Sequence, residues 1–235
     1  MANFMIDNLH ENGFALGSAD SLIPSDLLSE LETTVAAIPP RPISPLKPYL
    51  VHMLGRWPTY DPQSVYAKIA THLEPIAQAY LHKPPVLFFY NVWHSLVCPN
   101  PPSQSQLWHR DYDDVSLLKA FYYLTDVTED AGPLHYIPGT HWRGKRQVDP
   151  VIHKEKFASV WVDRVTDEAM AAVVPPSDYT VATGPKGTLV LADTTGWHKG
   201  GFCTGRERLV ATWEWVTTDS PHRVRFAAQN PWEAA

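Results

Sequence analysis

From Pro85 onward the chain stops reading as helix, and this change limits the fold more than any other feature. Val86 to Ser95 is rich in β-branched and aromatic residues and too short between breakers for a typical helix. Leu117 to Leu124, Leu134 to Ile137 and Gly187 to Asp193 repeat the pattern, with turns at Thr128 to Gly132 and Pro138-Gly139-Thr140. The last run, Arg208 to Val216, alternates cleanly. Leu209, Ala211, Trp213 and Trp215 fall on one face, and Arg208, Val210, Thr212 and Glu214 on the other. Short strands between turns predict a sandwich or barrel, and such folds often reach 235 residues as one domain.

The part before Pro85 has a helical period. Pro24-Ser25-Asp26 opens a helix, with Ser25 or Asp26 able to cap it. Leu27, Leu28, Leu31, Val35 and Ile38 form its stripe, and Pro39-Pro40 stops it. A second helix is expected from about Asp61 to Leu81, with Val65, Ile69, Leu73, Ile76 and Tyr80 buried and Pro75 kinking or splitting it. The whole of 1–235 reads as one domain: a helical part, 1–84, packed on a barrel core, 85–218. An insertion at about 143–185 interrupts the core. It is polar, carries Arg143, Lys145 and Arg146, and holds a short helix near Thr166 to Val174. Segments this long are lids or binding loops, or else solvated excursions. The tail after Ser220 reads as peripheral.

Composition excludes several classes. Net charge is −6 with no block of like charge, which argues against nucleic acid and anionic membranes as partners. No apolar run reaches membrane-spanning length, and Met1 to Asp7 lacks the basic and apolar parts of a signal peptide. Cys98 and Cys203 make no disulfide framework. A cytoplasmic, reducing location is expected.

The chemistry centres on Trp108-His109-Arg110-Asp111. In an extended segment His109 and Asp111 share a face and can converge on one cavity. H-x-D alone is common by chance. His198, after an apolar strand and a Gly-containing bend, supplies a third ligand. Two His and a carboxylate on one face of an octahedron, with open positions beyond, suit non-haem Fe(II). Arg208 begins the next strand, and an inward Arg needs an anion, which its planar fork pairs with in two parallel bonds. One end of a 2-oxo-dicarboxylic acid on the metal and the other on Arg208 would answer both needs. Arg206 shares the strand parity of Arg208 and competes for the role.

These motifs, with Gly132-Pro133-Leu134-His135-Tyr136-Ile137-Pro138-Gly139-Thr140-His141 and Asp193 to Gly200, resemble the phytanoyl-CoA dioxygenase-like group of Fe(II)/2-oxoglutarate oxygenases. The resemblance covers about residues 85–216. It implies a mainly β fold with flanking helices: a double-stranded β-helix, the jelly-roll or cupin-like barrel. It implies His109, Asp111 and His198 as iron ligands and Arg208 on the distal carboxylate of 2-oxoglutarate. O2 is the other cosubstrate, a small molecule the substrate, and hydroxylation of an unactivated C–H with release of succinate and CO2 the expected reaction. Lys119 and Phe121 would line the cosubstrate pocket, unless Lys119 is a surface lysine lying along apolar surface. Asn91, Trp93, Tyr112 and His135 are candidates for the substrate pocket, and the basic residues near 143–146 could receive an anionic or carrier-linked substrate. Asp193 and Lys199 could orient the loop around His198. Two rivals remain: a cupin-like metalloenzyme of another class, such as an isomerase or a cosubstrate-free dioxygenase, and a non-catalytic binding barrel.

Overall fold

Helices precede strands, as the periodicity predicts, but the helical part also lends strands to the barrel. The computed structural model describes residues 2–43, 45, 47–157 and 160–221; the tail beyond, read above as peripheral, lies outside them. Helix α1 (Ala2–Asn12) and strand β1 (Phe14–Ser18) come first, then α2 (Ser25–Ala36), β2 (Leu50–His52) and α3 (Val65–Leu81). The barrel strands are β3 (Pro85–Ser95), β4 (Leu118–Tyr123), β5 (Leu134–Tyr136), β8 (Thr180–Ala182), β9 (Thr188–Ala192), β10 (His198–Gly200) and β11 (Arg208–Thr217). Within the insertion lie the hairpin β6 (His153–Phe157) and β7 (Val160–Arg164) and the helix α4 (Asp167–Ala171).

Three local expectations need correction. In α2 the cap is Pro24; Ser25 is already helical, and no side chain caps the end. α3 runs unbroken through Pro75 and starts at Val65, with Ser64 accepting from the Ala67 amide as its cap. Its stripe is buried on both sides of Pro75, so packing on the sheet outweighs one lost backbone bond. The insertion is also not wholly extraneous, because β8 pairs with β5 as a barrel strand.

A six-stranded antiparallel sheet has the order β1-β9-β4-β11-β3-β2, and a three-stranded sheet the order β10-β5-β8. Two single-pair bridges, His109 to His198 and Trp108 to Val165, lay the metal-candidate segment beside β10 and so widen the smaller sheet. Strand parity sorts the core. Ala211, Trp213 and Trp215 of β11 face outward, with Ala120, Tyr122 and Leu191, against the buried stripes of all three long helices. Phe121, Tyr123, Val190 and Val210 face inward, toward Leu134, Tyr136 and Ala182 of the smaller sheet. This is the two-sheet, helix-backed jelly roll expected from the sequence. At one end the inner face opens into a cavity of about 500 Å³.

Candidate metal centre

His109 and His198 meet because their backbones pair. The His109 amide donates to His198 O at 2.9 Å, and the His198 amide donates back to His109 O at 3.0 Å. Two residues on, the Asp111 amide donates to Thr194 O at 2.8 Å, which keeps the H-x-D segment extended and its alternate side chains on one face. Donor atoms of His109, Asp111 and His198 all lie within 4.8 Å of one another. His109 Nε2 is 3.8 Å from Asp111 Oδ1, and His198 Nε2 is 3.6 Å from Asp111 Oδ2. Each imidazole is oriented from behind: His109 Nδ1 bonds Leu107 O at 2.8 Å and His198 Nδ1 bonds Gly196 O at 2.9 Å. Carbonyls accept, so both Nδ1 atoms carry the proton and both Nε2 lone pairs face the cavity. Burial lowers both histidines below their ordinary pKa, with His198 adding to the effect on His109, and this favours the neutral ligand form. Burial opposes the charge on Asp111, but Lys119 and the two imidazoles outweigh it and hold the carboxyl well below the usual range.

The loop that delivers His198 is tied at several points. Asp193 Oδ1 accepts from the Thr195 amide and hydroxyl, and Oδ2 accepts from Tyr80 of α3 at 2.5 Å. Tyr136 donates to Asp193 O, the Trp197 amide to Thr140 Oγ1, and Arg110 Nε to Thr195 O. A Cβ on Gly196 would stand 2.2 Å from Tyr136 Oη, so the bend has room only for glycine. Asp193 thus orients the loop as expected. Lys199 does not touch it, and instead pairs with Asp167 of α4 at 2.5 Å. The sequence reading did not foresee Tyr80, Tyr136, Thr140 and Arg110 as anchors of this loop: Tyr80 was expected as helix stripe, Tyr136 as an aromatic of the pocket and Thr140 as part of a turn. Tyr80 gave the one readable signal, a hydroxyl in an otherwise apolar helix stripe.

Arg208 lines the same cavity. Its Nη2 lies 3.3 Å from Ser95 Oγ, its buried Nε has no partner, and among the described residues no carboxylate lies within ion-pair reach. Arg206, by contrast, is 65% exposed and faces Asp130 at 3.7 Å. Phe121 and Trp93 line the cavity as expected, their rings 6.0 Å apart. Lys119 lines it too, but its ammonium is engaged by Asp111 at 2.6 Å, Glu214 at 3.3 Å and Asp113 at 3.9 Å.

Other expectations fail. Tyr112 is 72% exposed, because it has the opposite parity to His109, Asp111 and Asp113, which line the cavity. His135 lies between the inward Leu134 and Tyr136, so it faces outward, edge-on to the Trp108 ring. Asn91 has the phase of Trp93, but its amide donates to Gly55 O at 2.7 Å and supports the loop that walls the cavity. Arg143 donates to Tyr80 O and Leu81 O, and Arg146 pairs with Asp178. No described residue of 143–185 lines the cavity; the insertion packs behind it, around Trp108.

A family model for phytanoyl-CoA dioxygenase matches residues 62–208, which span both metal histidines and Arg208. The chain belongs to the phytanoyl-CoA dioxygenase family. A curated relative, the dioxygenase easH of Epichloe festucae var. lolii, is 44% identical over a stretch covering 18% of this chain; the chain spans 29% of that protein's length. Among solved structures, the epimerase SnoN in complex with Fe3+, alpha ketoglutarate and nogalamycin RO superposes with a TM-score of 0.64 at 16% identity, covering 100% of this chain and 91% of that one. EctD from S. alaskensis with 2-oxoglutarate and 5-hydroxyectoine gives 0.61 at 17%, covering 94% and 77%. HygX from Streptomyces hygroscopicus with nickel, 2-oxoglutarate and hygromycin B gives 0.59 at 13%, covering 93% and 88%. At these identities the likeness shows the jelly-roll fold. The family supports a dioxygenase-type function. No helix among the described residues is long and apolar enough to cross a membrane, and Cys98 and Cys203 are both free.

Proposed function

We propose that this protein is an Fe(II)- and 2-oxoglutarate-dependent dioxygenase that hydroxylates an unactivated C–H of a small molecule. The observation that carries the reading is a three-donor metal cluster sharing one cavity with a buried guanidinium that has no carboxylate partner. His109, Asp111 and His198 would hold the metal, and two neutral imidazoles with one carboxylate match the donor set of non-haem Fe(II) oxygenases. Arg208 would hold the far carboxylate of 2-oxoglutarate. When bound, iron and 2-oxoglutarate supply the oxidising power, with O2 consumed and succinate and CO2 released.

The rest is done by the chain. The Leu107 and Gly196 carbonyls fix both imidazole rings. The aromatic wall of Phe121, Trp93 and Phe89 shapes the space beside the donors and keeps bulk water from it. Lys119 acts as a positioning residue: by donating to Asp111 Oδ2, the oxygen nearer His198, it fixes the carboxylate and leaves Oδ1 toward His109. Loss of such a supporting bond typically costs about 10–100-fold in metal affinity. Lys119→Met is therefore expected to weaken metal binding by about that factor while 2-oxoglutarate affinity, measured at saturating metal, changes little. A direct cosubstrate contact for Lys119 would give the opposite split.

The decisive experiment is O2 uptake and succinate release with Fe(II), 2-oxoglutarate and ascorbate over a library of small acids and alcohols. Stoichiometric succinate, abolished in Asp111→Ala, is the expected result. O2 uptake without succinate would instead mark a cosubstrate-free dioxygenase. No uptake at all would leave an isomerase or a binding barrel. Product analysis then tests hydroxylation itself, since similar folds are described as an epimerase and as a carbocyclase.

A further inference from the structure

Strand β11 carries a charge near each end of its inward face. Arg208 opens the strand, and Glu214 follows on the same parity. Glu214 stands directly across the ladder from Lys119 of β4. Both line the cavity, and they are 3% and 9% exposed. Taking a carboxylate and an ammonium out of water is costly, and close geometry must repay it. Lys119 already has one close partner, the Asp111 carboxylate at 2.6 Å, and that contact answers its charge. The structure nevertheless brings Glu214 to 3.3 Å and Asp113 to 3.9 Å of the same ammonium. Three carboxylates thus share one lysine. Only the nearest of them, Asp111, belongs to the converging metal donors.

Sharing matters because Asp111 has two claims on it. Lys119 donates to its Oδ2, and a metal ion would sit where the Nε2 atoms of His109 and His198 approach the same carboxylate. Two cations on one carboxylate repel each other, and a buried site screens that repulsion poorly. A lysine with no second anion would close on Asp111 and compete with the ion. Glu214 supplies the second anion from a rigid place, because β11 pairs with β3 on one side and β4 on the other. Asp113 lies in the segment between the metal strand and β4, is farther from Lys119, and has its side chain 31% exposed, so water weakens its share.

We propose that Glu214 is a positioning residue of the metal centre: it draws off part of the Lys119 charge, so that Lys119 orients Asp111 without displacing the ion. The inference rests on the metal-binding part of the reading above. It gives a role to a buried acid that offers the ion no ligand of its own.

The test is calorimetric titration of Ni(II), without cosubstrate, into the full chain and into Glu214→Gln, Glu214→Asp, Lys119→Met and the double variant Lys119→Met/Glu214→Gln. Glu214→Gln keeps the shape and removes the charge. It is expected to weaken Ni(II) binding by about 10-fold or more, as loss of a ligand's supporting partner does. Glu214→Asp keeps the charge but draws it back from Lys119 by one methylene, and it should lose nearly as much. In the Lys119→Met background Glu214→Gln should add about twofold or less, since a group acting through Lys119 then has nothing to act on. Thermal melts of the apo variants, and a Co(II) absorption spectrum at saturation that matches the wild type, show the barrel and its three donors intact. Ni(II) affinity in Glu214→Gln within about twofold of the wild type overturns the inference. So does the full loss repeated in the Lys119→Met background, or wild-type affinity in Glu214→Asp, which would mark a charge acting through space. A changed Co(II) spectrum in Glu214→Gln would make Glu214 part of the ligand set and also overturns it. No Ni(II) uptake by the wild type would sink the metal reading and this inference with it, whereas failure confined to the variants sinks this inference alone.

Discussion

Asp111→Ala is expected to abolish Fe(II) binding and turnover together. The carboxylate is the one anionic donor in the cluster, and it lies 3.6 to 3.8 Å from both Nε2 atoms. The loss should exceed the roughly 10–100-fold that follows when only a ligand's supporting hydrogen bond is removed. His109→Ala and His198→Ala should behave alike. The apo fold should survive all three, because the helix-facing and inter-sheet cores contain none of these side chains. In the Asp111 variant Lys119 keeps Glu214 at 3.3 Å, so its charge is not stranded. Anaerobic Fe(II) titration with a thermal melt of each apo variant checks both halves. Wild-type iron affinity in His198→Ala would remove that residue from the ligand set.

The second large effect is expected at Arg208. Truncating one partner of a buried charge-assisted pair costs about 2–5 kcal/mol, which is some tens- to thousands-fold in affinity for 2-oxoglutarate. Arg208→Ala should show that loss with iron affinity nearly unchanged. Arg208→Lys should recover only part, since an ammonium lacks the planar fork. Arg206→Ala should change either affinity little, because its partner Asp130 is a surface residue and such pairs contribute about 0–1 kcal/mol. The 2-oxoglutarate dependence of turnover, measured beside Fe(II) titrations, separates the two. A large loss in Arg206→Ala alone would assign the clamp to Arg206.

What could be read in advance follows from periodicity. Alternation along β11 put Arg208 inward and Trp213 outward before any coordinates, and the structure keeps that parity through Trp215, the register shift at Glu214 and Trp215 falling only in the pairing with β3. The two-residue spacing of His109 and Asp111 worked because backbone pairing keeps the segment extended. Tyr112 was expected in the pocket for its aromatic ring, against the same spacing, which puts it on the opposite face from His109 and Asp111. Periodicity missed β1 and β2 because five and three residues are too few to establish a period. The place of β2 at the cavity was illegible for the same reason: what brings Leu50 and His52 there is pairing along β3, a contact between distant parts of the chain. The insertion drew attention by its length and charge, yet Arg143 meets backbone carbonyls and Arg146 meets Asp178, both outside the cavity.

The bond from Tyr80 to Asp193 has a thermodynamic consequence. It joins the outer helix α3 to the aspartate that begins the turn into His198, so one hydroxyl couples a layer with no ligand of its own to the metal loop. Any ion that binds only the folded site shifts the folding equilibrium by RT ln(1 + [L]/Kd). Through that hydroxyl the gain reaches α3 as well as the donors, and slower amide exchange along the helix would record it. By reciprocity, a change on the outer face of α3 that loosens Tyr80 weakens the ion's hold from across the sheet.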